Sequence, residues 1–132
     1  MPEVIYLDSS VAIHVLVGTR SAVRWWDERV SAGDRLISSV LLNLEVARFL
    51  HRERLDPRAG DFLTESLHPV AVDNALLVEA AHVPAVLKTL DCVHLASAAR
   101  VGTRVVTVAT HDRSMAGAAT QMGFATIDPV TA

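Results

Sequence analysis

Cysteine is almost absent from this sequence: Cys92 is the only one in 132 residues. A lone thiol excludes an internal disulfide and a multi-cysteine zinc site, and it fits a reducing compartment. Lysine is equally scarce, with Lys88 the single example beside eleven arginines. There is no internal repeat, no low-complexity tract and no block of like charge, so a sticky basic tail is excluded. No uninterrupted apolar run approaches the ~20 residues of a membrane-spanning helix. The opening Met1-Pro2-Glu3 lacks the basic start of a secretory leader. The expectation is a cytoplasmic protein with no membrane segment.

What is present is globular. Apolar residues make up 51% and charged residues 20%, with a net charge of −3. The length suits one domain, residues 1–132, with a core that needs no staples. A mean hydropathy of +0.33 is high for a soluble chain. A sheet covered on both faces and an apolar contact surface would account for it.

Short β-type runs alternate with longer helical ones. Residues 3–7 (EVIYL) read as a strand, with Ser9 and Ser10 capping the helix that follows. Gly18 and Thr19 end that helix, and residues 19–30 form a second one. A short strand over 35–38 leads through a capping Ser39 into a long helix over 40–54. Asp56-Pro57 starts another helix, and 70–72 is a small strand candidate. Asp73 caps a helix over 74–83, and Pro84 opens a further helical stretch. Residues 90–101 are a strong helix closed by Gly102, and 104–109 (RVVTVA) is the clearest strand. Residues 110–122 are helical and 124–127 a last strand. This alternation predicts an α/β fold, a three-layer α/β/α sandwich around a central parallel sheet. Right-handed crossovers put every strand's C-terminal end on one edge, where such sheets bind ligands.

Four acids from distant segments fall at that edge. Asp8 follows the first strand, Asp112 the clearest one, Glu45 lies in the helix after the second, and Asp91 opens the alanine-rich helix. Like charges so gathered oppose folding unless a cation offsets them. Oxygen ligands suit Mg2+, with Mn2+ as a substitute, and such an ion activates water against a phosphodiester. Each acid also has an ordinary reading. Asp8 suits a capping turn, Glu45 a surface pair with Arg48, and Asp91 and Asp112 favourable helix-start charges. Their joint placement is what favours a site.

Four segments, taken in order, resemble the PIN domain, and specifically the toxin subunit of VapBC-type toxin–antitoxin pairs. They are YLDSSVAI (6–13), SSVLLNLEVARFLHR (38–52), LDCVHLASAAR (90–100) and VVTVATHDRSM (105–115). The resemblance implies Asp8 and Asp91 as the main magnesium ligands, with Asp112 and Glu45 acting directly or through water. It matches Ser10 and Thr110 to hydroxyls that orient carboxylate or water. It further implies an Mg2+-dependent endoribonuclease that leaves a 5′-phosphate and a 3′-hydroxyl. The implied partners are an RNA substrate (transfer or ribosomal RNA), a second copy in a homodimer, and a VapB-like antitoxin placing a basic side chain in the acidic groove.

Other residues weigh less. Arg48, Arg52 and Arg113 are best placed for phosphate, although a GC-rich genome also favours arginine. His94 shares a helix face with Asp91 and reads as a packed histidine, while His111 sits beside Asp112. Cys92 reads as core. One of Trp25 and Trp26 is expected in the core and the other exposed for a partner. Rival readings fare worse. A haloacid-dehalogenase-type phosphatase needs Asp-x-Asp where this chain has Asp8-Ser9-Ser10, and a receiver domain needs a later lysine than Lys88. A non-catalytic RNA- or protein-binding module stays open, and it would show no stabilisation by a divalent ion.

Overall fold

The chain is described by a computed structural model covering residues 2–131. Five parallel strands form the sheet: β1 (Val4–Leu7), β2 (Arg35–Ser39), β3 (His68–Val70), β4 (Val106–Ala109) and β5 (Ala125–Ile127), in the order β3-β2-β1-β4-β5. Among the described residues, seven α-helices connect and cover them: α1 (Ser9–Leu16), α2 (Arg20–Ser31), α3 (Leu41–Arg52), α4 (Asp61–Thr64), α5 (Asn74–Ala81), α6 (Thr89–Val101) and α7 (Arg113–Gln121). This is the three-layer α/β/α architecture expected from the alternating pattern.

Residue alternation along β1, β2 and β4 feeds two cores. Ile5, Leu7 and Leu36 face one way, onto Val11, Val15, Leu42, Val46 and Trp26. Tyr6, Ile37, Val106 and Val108 face the other, onto Leu95, Ala98, Met115 and Ala119. A strand buried on both sides must be apolar at successive positions, which is why these strands carry near-continuous Val, Ile and Leu. The high mean hydropathy has its outlet here.

Several local expectations shift. Ser9 and Ser10 lie inside α1, whose N-cap is Asp8. The segment after Asp56-Pro57 is a 3₁₀ turn, Pro57–Gly60, before the four-residue α4. The third strand begins earlier than read and contains Pro69. Proline is admissible there because β3 is an edge strand, where a missing N–H need not break a ladder. Pro84 starts no helix; residues 83–88 are irregular, and α6 begins only at Thr89. Residues 110–112 are a loop, with Asp112 capping α7. Trp26 is buried as expected of one tryptophan, but Trp25 is half-buried against the same core and not displayed.

The strand order decides where ligands can sit. The chain moves outward from β1 through β2 to β3, then returns to β1's other side with β4. The crossovers diverge between β1 and β4, opening a crevice beyond their C-terminal ends. Leu7 pairs with Ala109 at the last register position. The residues immediately after them, Asp8 and Thr110, therefore flank that crevice.

Candidate active site

Asp8 is fixed from both sides. Its N–H donates to the Ala109 carbonyl at 3.0 Å. Beneath it the buried Ser38 hydroxyl donates to the Leu7 carbonyl at 2.7 Å. The side chain is 2% exposed. Its Oδ2 accepts from the Ser10 hydroxyl at 2.8 Å and from the Thr110 hydroxyl at 2.8 Å. Its Oδ1 is buried and has no hydrogen-bond partner. A buried carboxylate oxygen left bare is costly, because the lost hydration is not replaced.

The other acids share its cleft. Asp8, Ser10, Glu45, Lys88, Asp91 and Asp112 line one depression of about 360 Å³. Burial, and then the negative charges of Asp8 and Asp112, hold the Asp91 carboxyl above the ordinary aspartate range. This is the like-charge effect anticipated for acids gathered at the edge. Lys88 opposes it, acting on Asp91 from the start of α6. Asp112 spends Oδ1 on capping α7, accepting from Ser114 N–H at 2.8 Å and Met115 N–H at 3.2 Å. Among the described residues, no three acid, imidazole or thiol groups close into a ready-made cage. The acids share the cleft without converging tightly.

The donor set nevertheless suits a hard divalent cation. It is all oxygen and carboxylate-rich, and one buried oxygen stands unpartnered. Magnesium asks for one or two protein carboxylates, with water and phosphate completing its shell.

Glu45 does not pair with Arg48 as its helix spacing allowed. Its Oε1 is bonded to His94 Nε2 at 2.5 Å. His94 Nδ1 in turn meets the Tyr6 hydroxyl at 2.6 Å, and Tyr6 accepts the Ser39 N–H at 3.1 Å. Tyr6 and His94 are each 1% exposed. Burial pushes the Tyr6 phenol well above its usual range, so it stays protonated at any working pH. The expectation of a packed histidine therefore holds, and His94 is joined to the site through Glu45. The sequence pattern assigns Tyr6 and Lys88 no role in the site. The i, i+3 spacing of Asp91 and His94 signalled the histidine. Nothing local marks a tyrosine in an apolar strand.

The second periphery is formed by His111. Its N–H donates to the Ser10 hydroxyl at 2.9 Å, and its ring bonds Asp128 at 3.0 Å. The ring also packs edge-on against His14, with centroids 5.1 Å apart. Arg48, Arg52 and Arg113 are all exposed. Cys92 is half-buried and packs against a third apolar cluster formed by Leu76, Ala80, Val93 and Ala96.

A family model described as PIN domain matches residues 5–119 of the chain. Ribonuclease VapC46 of Mycobacterium tuberculosis is 33% identical over 133 residues, spanning 95% of this chain and 97% of that protein. Ribonuclease VapC47 of Mycobacterium tuberculosis is 24% identical over 131 residues, spanning 95% and 96%. No solved structure matches the chain.

Proposed function

The chain belongs to the PIN-domain family, and on that premise we propose a divalent-cation-dependent endoribonuclease whose ion is held by Asp8, Asp91, Asp112 and Glu45. Both relatives carry the name VapC ribonuclease, and at the coarser level the chain is a toxin–antitoxin ribonuclease. The finer reading rests on one observation: the buried, unpartnered Oδ1 of Asp8 beside three further acids.

Asp8, Asp91, Asp112 and Glu45 would hold a Mg2+ or Mn2+ ion, which would supply water activation and charge offset on the phosphodiester; attack of that water at phosphorus with departure of the 3′-oxygen would leave 5′-phosphate and 3′-hydroxyl ends. The protein's own groups prepare the place. Ser10 and Thr110 hold Asp8 Oδ2, which fixes the orientation of the carboxylate. Asp112 N–H donates to the Thr110 hydroxyl at 3.1 Å, tying the loop after β4 to the same anchor. Lys88, exposed at the rim, is suited to a backbone phosphate. Two divalent ions at the four cleft acids would bring the formal charge from −3 to +1, so the net charge does not argue against RNA.

The partners belong to the same reading: RNA, with transfer and ribosomal RNA both admissible; a VapB-like antitoxin covering the acidic cleft; and a second copy of the chain. The test is cleavage of structured RNA by purified protein with Mg2+ or Mn2+. Asp8→Asn and Asp91→Asn should each lower the rate by at least ~100-fold, since losing a ligand costs more than the roughly 10–100-fold of losing an outer hydrogen bond. Cleavage that persists in EDTA, or at full rate in Asp8→Asn, overturns it.

A further inference from the structure

The Glu45–His94–Tyr6 chain joins three elements whose residues are far apart in sequence, and it runs from the cleft into the centre of the second core. With a neutral imidazole and an ionised Glu45, every bond in it has a defined direction. The Ser39 N–H can only donate, so the Tyr6 oxygen accepts there. An ionised Glu45 can only accept, so His94 Nε2 carries a proton. A neutral imidazole that donates from Nε2 accepts at Nδ1, and the Tyr6 O–H is the donor 2.6 Å away. The relay is self-consistent from backbone to carboxylate: Ser39 N–H to Tyr6, Tyr6 O–H to His94, His94 Nε2–H to Glu45.

Burial makes it rigid. The imidazole and phenol are packed edge-on with centroids 5.7 Å apart, and both rings are almost wholly enclosed. Glu45 is the half-buried end, on α3, and it alone reaches the cleft. A glutamate has three side-chain torsions to fix, and an unbound one at a helix surface would sample many positions. Here one oxygen is tied to a ring that cannot move.

We propose that His94, held in its Nε2–H form by Tyr6, is a positioning residue that fixes Glu45 Oε1 and so presents the other carboxylate oxygen to the cation. This rests on the reading of the cleft as a cation site. Neither His94 nor Tyr6 touches the ion or the RNA; both act through Glu45. Outer hydrogen bonds of this kind tune ion affinity by roughly 10–100-fold.

The experiment uses the full chain without RNA. Mn2+ affinity is measured by calorimetry for wild type, Tyr6→Phe, His94→Leu, His94→Gln, Glu45→Gln and Asp8→Asn, with each variant's fold checked by circular dichroism. His94→Leu should weaken Mn2+ binding by about 10-fold or more. Tyr6→Phe keeps the ring in the core and should weaken it less. His94→Gln retains an N–H donor and should recover part of the loss. In the Glu45→Gln background, His94→Gln should change Mn2+ affinity no further, whereas a merely structural histidine would act alike in both backgrounds. Nitrogen-15 NMR of the imidazole should show the proton on Nε2 and none on Nδ1, a readout independent of the ion. Binding abolished by Asp8→Asn but untouched by His94→Leu and Tyr6→Phe overturns this proposal alone. A wild type that binds no Mn2+ overturns the cation site and this proposal with it.

Discussion

Replacing Asp8 by asparagine separates a cation ligand from a capping turn. The amide oxygen can still accept from Ser10 and Thr110, so the two 2.8 Å bonds survive. The amide nitrogen then falls where Oδ1 stands bare. An NH2 group carries no negative charge and does not ligate a cation. For wild type, an ion at 100 times its Kd adds about 2.7 kcal/mol to the folded state. For a chain of this length each kcal/mol moves Tm by roughly 4 °C, so the expected rise is about 10 °C. Asp8→Asn should show a rise of no more than ~1 °C under the same conditions. The swap also alters the ion-free protein, by roughly 1–3 kcal/mol for an unsatisfied buried polar group. Comparing each protein with itself, with Mn2+ and with EDTA, cancels that term. Arg58→Ala serves as control, because Arg58 is exposed and pairs only with Asp56. It should keep the full shift. Equal shifts in wild type and Asp8→Asn would place the ion elsewhere. No shift in wild type at millimolar Mn2+ would refute the cation site and favour a binding module.

Three further outcomes follow from the geometry. Asp91→Asn should raise the Tm of ion-free protein by up to about 1 kcal/mol equivalent, the scale of a partly solvated charge interaction, while abolishing cleavage. Because the folded-state carboxyl is raised by burial and by Asp8 and Asp112, the penalty is full above that raised pKa and vanishes below the ordinary aspartate range; melts from pH 4 to 8 in EDTA should show the gap closing as pH falls. Ser38→Ala removes the buried 2.7 Å bond to the Leu7 carbonyl and should cost about 1–3 kcal/mol in urea denaturation. An unchanged midpoint would show that carbonyl satisfied another way. Gly60→Ala would put a methyl 2.8 Å from Val46 Cγ1 and should cost roughly 1–3 kcal/mol. Adding Val46→Ala should recover part of that loss, and a purely additive double variant would disprove the contact.

Legibility in the sequence followed the range of the interaction. Asp73 capping α5 was readable because the bond to Leu76 N–H spans three residues. Gly102 closing α6 was readable because its φ of +137° suits glycine. The helix expected from Pro84 failed for the complementary reason. Val83, Ala85 and Leu87 pack partly buried against the second core from irregular chain, and that burial outweighs local helix preference. Ser10 looked like a helix cap, yet its hydroxyl serves Asp8 and meets Thr110, 100 residues away, at 3.4 Å.

The sequence by itself determined the alternating fold, its parallel sheet, and four acids at strand ends and helix starts, since periodicity and caps are short-range properties. Only the tertiary structure decided which oxygen of Asp8 is bare, that Glu45 answers to His94 and not Arg48, and that Tyr6 stands behind both. Those facts depend on the order β3-β2-β1-β4-β5 and on the packing of α3 and α6 beside β2. A spacing rule acts along one helix or strand. The partner of a buried donor is chosen by whatever the chain brings back from a distance.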